Sequence, residues 1–130
     1  MAKTILFIED DLPTIEVYTT ALKKEGFNVK TITFGREALE FFDKVNKGKE
    51  KQPDVVLLDI MLPDVSGLEV LKKIKSNKKT KDIPVLVLTN FAGKEEEIEK
   101  MHFDKTKYLI KTNYTPRQLV ELIKKELKIK

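Results

Sequence analysis

The stretch "PDVVLLDIMLPDVSG", from Pro53 to Gly67, decides which fold this chain is expected to adopt. Its apolar run, Val55 to Leu58, indicates a strand buried on both faces. The run ends on a carboxylate, Asp59, and a loop with its own Pro63 follows. A carboxylate carried straight out of a core either marks the end of the strand or stands there because a reactant must reach it.

Length and composition predict one globular domain spanning residues 1–130. The chain is 41% hydrophobic and 35% charged, which fits a soluble protein with an ionic surface. No apolar run approaches the roughly 20 residues that span a bilayer, and the N-terminus lacks the pattern of a signal peptide. The chain has no cysteine, so disulfides and thiol chemistry are excluded. We expect a cytoplasmic protein with no membrane partner.

A cluster of lysines stands in "KKIKSNKKTKD", residues 72–82, within a chain of net charge +4. Such a cluster could meet an acidic partner. Only two arginines, Arg36 and Arg117, occur in the chain, and the cluster has no aromatic residue for stacking on bases. The cluster is therefore interpreted as a solvated helix end, and no direct nucleic acid binding is expected.

Five strand patterns alternate with five helical patterns, which predicts an α/β fold with a parallel sheet and right-handed crossovers. The second strand alternates polar and apolar residues, so it is placed at an edge of the sheet. The predicted strands lie within residues 3–8, 27–34, 54–59, 83–90 and 107–111, and the predicted helices within 11–26, 35–49, 66–75, 93–103 and 115–130.

Helix ends and inner faces follow from local sequence. Asp11 and Pro13 suit the start of the first helix and Gly26 its end, while Thr115 and Pro116 open the last helix. Apolar spacing assigns an inner face to each of the first three helices. Those faces comprise Ile15, Tyr18 or Thr19, and Leu22; Ala38, Leu39, Phe42 and Val45; and Leu68, Leu71 and Ile74.

Four of the five strands end in charged or hydroxyl side chains. In a doubly wound sheet, ligands bind outside the carboxyl ends of the strands. Each group alone has a structural explanation, such as helix capping by Asp11, but together they would share one edge. The groups are Glu9, Asp10 and Asp11 after the first strand, Asp59 after the third, Thr89 and Asn90 after the fourth, and Lys111 after the fifth.

Glu9, Asp10 and Asp59 would place three carboxylates in one pocket. Like charges at that range raise each other's pKa and cost stability unless a cation lies among them. Hard oxygen ligands favour Mg²⁺, and a lysine with a hydroxyl opposite would suit an anion. This combination predicts phosphoryl transfer with a carboxylate as the nucleophile.

Four segments together resemble the receiver domain of two-component response regulators: "ILFIEDD", "PDVVLLDIMLPDVSGLEVLKKIK", "IPVLVLTN" and "YLIK". The resemblance covers essentially the whole chain. It implies a flavodoxin-like fold, with a five-stranded parallel sheet of order 2-1-3-4-5 and five helices. It also implies a signalling domain that phosphorylates itself and slowly dephosphorylates, not a turnover enzyme, either a chemotaxis-type single-domain regulator or an isolated receiver.

The resemblance also implies roles for the acids. Asp59 would accept a phosphoryl group from a sensor histidine kinase, a phosphotransfer protein or a small phosphodonor. Asp10 and Asp59 would bind Mg²⁺ together with the backbone carbonyl of Met61, and Glu9 would hold the ion through water.

The remaining implied roles concern the phosphoryl group and the output. Lys111 would pair with Asp59 and then with the phosphoryl group, whose oxygens Thr89 would hydrogen-bond. Tyr108 would be the aromatic switch residue that turns inward as Thr89 moves. The output surface would run from Gly93 to Lys130, comprising the fourth helix, fifth strand and fifth helix, and could also form a homodimer. The output partner is unknown.

The chain departs from the family pattern on the output side. Thr112 stands where a cis-linked proline is usual, so a trans bond and a displaced Lys111 are possible there. Asn90 replaces a small residue, and Phe91 could shield the phosphate, so slow autodephosphorylation is expected. Asp104 and Lys105 replace a Gly-Ala pair.

The sequence leaves three alternative functions to compare. A degenerate receiver that binds a partner without phosphorylation is the main alternative. A flavin carrier would need a hydroxyl- and glycine-rich phosphate loop where "EDDLP" stands, and an aspartyl-phosphate hydrolase would need an acid at Met61. His102 is interpreted as a helix-surface residue.

Overall fold

Five short strands form one parallel sheet in the computed structural model, which describes residues 2–90 and 106–129. The order of the strands is β2-β1-β3-β4-β5, as predicted. The strands are Thr4–Ile8 (β1), Asn28–Ile32 (β2), Val55–Leu58 (β3), Val85–Thr89 (β4) and Thr106–Ile110 (β5).

Three described helices connect the first four strands and a fourth follows β5, and together they cover both faces of the sheet. They are Leu12–Lys24 (α1), Gly35–Asn46 (α2), Gly67–Lys75 (α3) and Pro116–Glu126 (the C-terminal helix), with a 3-10 turn at Lys111–Asn113. Several predictions lie outside the described residues, namely the helix at 93–103 with His102, the residues Phe91, Asp104 and Lys105, and that part of the output surface.

The register of the central strands brings their carboxyl ends level. Ile8 is aligned with Ile32 on one side and with Leu58 on the other. The ladder continues for one further bond, because the backbone N–H of Asp59 donates to the carbonyl of Ile8 at 3.0 Å. Residues that directly follow β1 and β3 therefore emerge side by side.

Alternation along the strands divides the core into two layers. Leu6 and Ile8 of β1 pack with α2 and α3, whereas Ile5 and Phe7 pack with α1 and the C-terminal helix. β3 is buried along its whole length and contributes to both layers. Burial on both faces is what the continuous apolar run predicts.

The helix ends follow the local chemistry expected of them. The side chain of Asp11 caps α1 by accepting from the N–H of Thr14 at 3.1 Å, and Gly26 after the helix has φ +90°. Thr115 and Gln118 form a reciprocal capping box at the start of the C-terminal helix. The predicted caps at Asp11, Gly26 and Thr115 are confirmed.

Buried helical residues that the sequence-based assignment omitted include Phe41, Val70 and Lys75. Phe41 is buried beside Phe42, at a ring-centroid distance of 5.2 Å, although the predicted inner face of α2 omits it. Lys75 is also buried, because its ammonium donates to the carbonyls of Lys81 at 2.9 Å and Ile83 at 2.7 Å. The lysine cluster is thus not uniformly solvated.

Within the described residues, no helix combines the length and the apolar character that crossing a membrane requires.

Gly67 at the start of α3 is expected to tolerate no side chain. An added Cβ would lie 2.3 Å from the carbonyl oxygen of Asp59 and 2.6 Å from the Cα of Ile60. We expect Gly67→Ala to lower the free energy of unfolding by about 1–3 kcal/mol, as overpacking does, in urea titrations. Glu69→Ala, at an exposed position in the same helical turn, is the control and should change stability by less than about 0.5 kcal/mol. Equal effects of the two substitutions would contradict this account of Gly67.

Candidate functional site

Two carboxylates are carried out of the core by neighbouring strands. Glu9 follows β1 and Asp59 follows β3, and their relative exposures are 1% and 5%. Burial of ionised carboxylates is costly unless hydrogen bonds and opposite charges compensate for lost water. The site must therefore supply both hydrogen-bond donors and a positive charge.

The opposite charge comes from Lys111, two strands away from Asp59. Its ammonium contacts Glu9 Oε1 and lies 3.2 Å from Asp59 Oδ2. The described peptide bonds are all trans, so the bond between Lys111 and Thr112 is trans as well. Lys111 nevertheless reaches both carboxylates, so the trans bond does not keep its ammonium from Asp59.

Backbone donors orient both carboxylates. Glu9 Oε2 accepts from the N–H groups of Asp10 at 3.1 Å and Asp11 at 3.2 Å, while Asp59 Oδ1 accepts from Met61 at 3.0 Å. Each carboxylate therefore has one oxygen bound by backbone and the other by Lys111. This division fixes the orientation of both groups.

The acids also form a candidate cation site. Carboxylate oxygens of Glu9, Asp10 and Asp59 lie within 4.8 Å of one another, and Asp10 is exposed. Three carboxylates against one ammonium leave two excess negative charges when all are ionised. Oxygen ligands with an excess of negative charge, open to water on one side, fit Mg²⁺.

Burial is the main influence on the titration of Glu9. Burial, together with the neighbouring Asp59 carboxylate, raises the pKa of Glu9 from 4.5 to about 7, even though the hydrogen bond from Lys111 acts in the opposite direction. Burial alone would lower the pKa of Lys111, but its contacts with Glu9 and Asp59 outweigh burial and raise it. Lys111 therefore stays protonated at neutral pH.

The other predicted site residues are only partly described. β4 ends at Thr89, whose backbone pairs with Ile110, but the Thr89 side chain lies outside the described part of the structure. Tyr108 in β5 is half-buried against the core layer of α2 and α3. Met61 is 51% exposed in the loop after β3. The roles assigned to these three residues stay predictions.

Sequence reasoning missed the contact between Glu9 and Lys111. It placed both at one edge of the sheet, yet it assigned the lysine to Asp59 alone and Glu9 to a water-mediated metal contact. The signal available was the need of a buried carboxylate for a cation, which applies to Glu9 as strongly as to Asp59.

The raised pKa of Glu9 predicts how stability depends on pH. The folded state holds this proton more tightly than the unfolded chain, so its contribution to stability is complete below pH 4.5 and declines as the pH rises through about 7. In Mg²⁺-free urea titrations across this window, Glu9→Gln should lose that decline. The exposed Glu69→Gln is the control and should keep the wild-type slope. Equal slopes for the wild type and Glu9→Gln would contradict the raised pKa.

Comparisons with known proteins agree with this geometry. The family model described as the response regulator receiver domain matches residues 5–124. The chain is 35% identical over 124 residues to the phosphate regulon transcriptional regulatory protein PhoB of Escherichia coli, covering 95% of this chain but only about half of that protein, 51%. It is 32% identical to the polar-differentiation response regulator DivK of Brucella ovis over 98% of both chains.

A solved structure shares the fold. The phosphorylated cyanobacterial phytochrome response regulator RcpA is 28% identical, with a TM-score of 0.77 over 96% of this chain and 91% of that one. The match to the family model covers nearly the whole chain, and the strand order is the one that the resemblance implied. The chain therefore belongs to the response regulator receiver domain family, the signalling domains of two-component systems.

Proposed function

We propose that this domain is a phosphoacceptor whose Asp59 carboxylate takes a phosphoryl group from a phosphohistidine of a sensor kinase or phosphotransfer protein. One observation carries the proposal. Asp59 stands almost fully buried at the end of β3, with its two oxygens held by the Met61 N–H and the Lys111 ammonium. A carboxylate that merely ended a strand could stay in water, where it would need neither burial nor these partners.

The transfer step needs only groups at this edge of the sheet. A carboxylate oxygen of Asp59 attacks phosphorus and forms the new P–O bond. The bond from phosphorus to the imidazole nitrogen of the donor breaks, and its electron pair stays on that nitrogen. Lys111, kept protonated by the carboxylates, pairs with the negative oxygens of the transferred group. Asp59 loses its own charge in the acyl phosphate, a mixed anhydride, but gains the charge of the phosphoryl group.

Mg²⁺ is the proposed cofactor, and the donor set of Glu9, Asp10 and Asp59 fits it. Asp10 and Asp59 would hold the ion directly with the Met61 carbonyl, and Glu9 through water. When bound, Mg²⁺ would neutralise charge on the phosphoryl oxygens. The contact between Glu9 and Lys111 keeps the Glu9 carboxylate beside that position.

We infer that the readout is a change of protein contacts, and not turnover of a substrate. The phosphoryl group, with a charge of about −1.5 to −2, would draw Thr89 toward it and let Tyr108 turn inward. The surface altered would run from Gly93 to Lys130, where an output protein or a second copy of the chain would bind. The solved structure of RcpA is that of the phosphorylated protein, which supports the same chemistry here.

Phosphorylation at Asp59 can be tested by intact mass after incubation with Mg²⁺ and acetyl phosphate. The wild type should gain one phosphoryl group, because Asp59 is the nucleophile, and Asp59→Asn should gain none. Asp82→Asn is the control, since Asp82 is an exposed carboxylate before β4, at the other edge of the sheet. In the wild type, beryllofluoride should also shift the amide resonances of Tyr108 and the C-terminal helix.

Modification that survives in Asp59→Asn would overturn the assignment of the nucleophile. No modification and no Mg²⁺-dependent shift in the wild type would instead favour the degenerate receiver, a binding module that acts without phosphorylation.

The proposed ion site predicts a specific loss at Asp10. Because Asp10 is exposed and contributes one charged ligand, Asp10→Asn should fold normally yet raise the Mg²⁺ dissociation constant by at least about tenfold, equivalent to 1.4 kcal/mol. Calorimetric titration measures this constant. Glu16→Gln, which removes an exposed charge from α1, is the control for general electrostatics. An unchanged constant in Asp10→Asn would exclude Asp10 as a ligand.

A further inference from the structure

The loop between β3 and α3 is tied to the start of α2 by one side chain, Asp64. Its Oδ1 accepts from the N–H of Gly35 at 2.7 Å, and its Oδ2 accepts from the N–H of Arg36 at 2.9 Å. Asp64 lies 29 and 28 residues from these donors in the sequence. The residue before α2, Phe34, makes no side-chain cap of its own. The helix is therefore capped from the loop that follows Asp59.

The charge of Asp64 suits this position. A carboxylate at a helix N-terminus accepts from free N–H groups and interacts favourably with the helix dipole. The backbone hydrogen bond from Arg36, with the bond from Gly35, holds the pKa of Asp64 below its usual range. Asp64 is therefore ionised at neutral pH, and both of its bonds are charge-assisted.

The loop also lies directly on the helix. A Cβ added at Gly35 would lie 2.7 Å from the carbonyl oxygen of Val65 and 2.9 Å from its Cβ. This close approach leaves no space for water between the loop and the first turn of α2. Asp64 and Val65 thus fix the outer part of the loop by hydrogen bonding and by contact.

The inner part of the loop is fixed at Ile60. Its carbonyl accepts from the N–H of Leu62 at 3.1 Å and of Gly67 at 2.8 Å. Met61 lies between this anchor and Asp64, and its N–H donates to Asp59 Oδ1. Met61 therefore lies in a short segment that is held on one side at Ile60 and on the other side at Asp64.

We propose that Asp64 is a positioning residue: by binding the Gly35 and Arg36 N–H groups it holds the loop so that the Met61 backbone faces the acidic pocket. The part of this proposal that concerns Mg²⁺ rests on the function proposed above, because the Met61 carbonyl is the expected ligand. The part that concerns the Met61 N–H does not, since that bond exists without any ion. Asp64 is not itself a proposed ligand of the phosphate or the metal.

Amide hydrogen exchange in the Mg²⁺-free protein tests the positioning directly. Asp64→Ala should speed exchange of the Met61 amide by about tenfold. This is the factor expected when the charge-assisted hydrogen bond from the Met61 N–H to Asp59 Oδ1 is lost. Asp64→Asn keeps one carbonyl oxygen and should restore part of the protection. A Mg²⁺ titration of the same variants should show a dissociation constant raised by about tenfold in Asp64→Ala, as for other groups that orient metal ligands.

Asp54→Ala is the matched control, because Asp54 Oδ2 accepts from the N–H of Thr4 at 2.7 Å and ties two elements together at the opposite edge of the sheet. It should destabilise the fold without changing Met61 exchange or Mg²⁺ affinity. If Asp64→Ala leaves Met61 protected while Gly35 and Arg36 lose protection, Asp64 only caps α2 and the proposal is wrong. If the wild type binds no Mg²⁺, the proposed function fails, and Met61 exchange alone still decides the role of Asp64.

Discussion

Two buried carboxylates on adjacent strands require a cation between them, and the arrangement of this domain follows from that requirement. Glu9 and Asp59 emerge level because β1 and β3 are paired in register up to Ile8 and Leu58. Without a compensating charge, desolvation and mutual repulsion would oppose the folded state. Lys111 provides that charge from the end of β5, so its side chain must reach past β4.

The same interaction connects stability with chemistry. A fully neutralised cluster would not attract a cation and would leave no charged carboxylate oxygen to react. One ammonium among three carboxylates leaves the cluster negative, while Lys111 remains charged and close to Asp59. Lys111 thus offsets enough charge for the domain to fold, and the pocket still carries excess negative charge. Such a condition is typical of functional sites.

The fold could be predicted from sequence because its signals are local and repeated. β3 has an uninterrupted apolar run, β2 alternates, and caps mark the ends of α1 and the C-terminal helix. What escaped prediction depends on contacts with residues outside the helix concerned. Phe41 is buried in the core layer that also holds Ile32 of β2, and Lys75 is buried because the carbonyls of Lys81 and Ile83, beyond the end of α3, accept from its ammonium. No periodicity in a single helix encodes either arrangement.

The candidate site, too, could be predicted from sequence in part only. Topology alone placed Glu9, Asp59 and Lys111 at one edge, since parallel strands bring their carboxyl ends together. Which carboxylate Lys111 contacts depends on side-chain reach and burial, so the shared contact was missed. Asp64 was also missed, because an aspartate between a proline and a glycine is indistinguishable from an ordinary turn residue until its partners at the start of α2 are known.

The loop after β3 and the connection before it are packed unequally, and this difference has an evolutionary consequence. β3 runs directly into Asp59, and the loop after it is anchored at Ile60, Asp64 and Gly67. An inserted or deleted residue within β3 would turn Asp59 away from Lys111, because strand side chains alternate with a period of two. One within the loop would break an anchor. The connection before β3, residues 47–54, is mostly exposed. Related domains should therefore vary in length at that edge while keeping a constant spacing between Asp59 and Gly67.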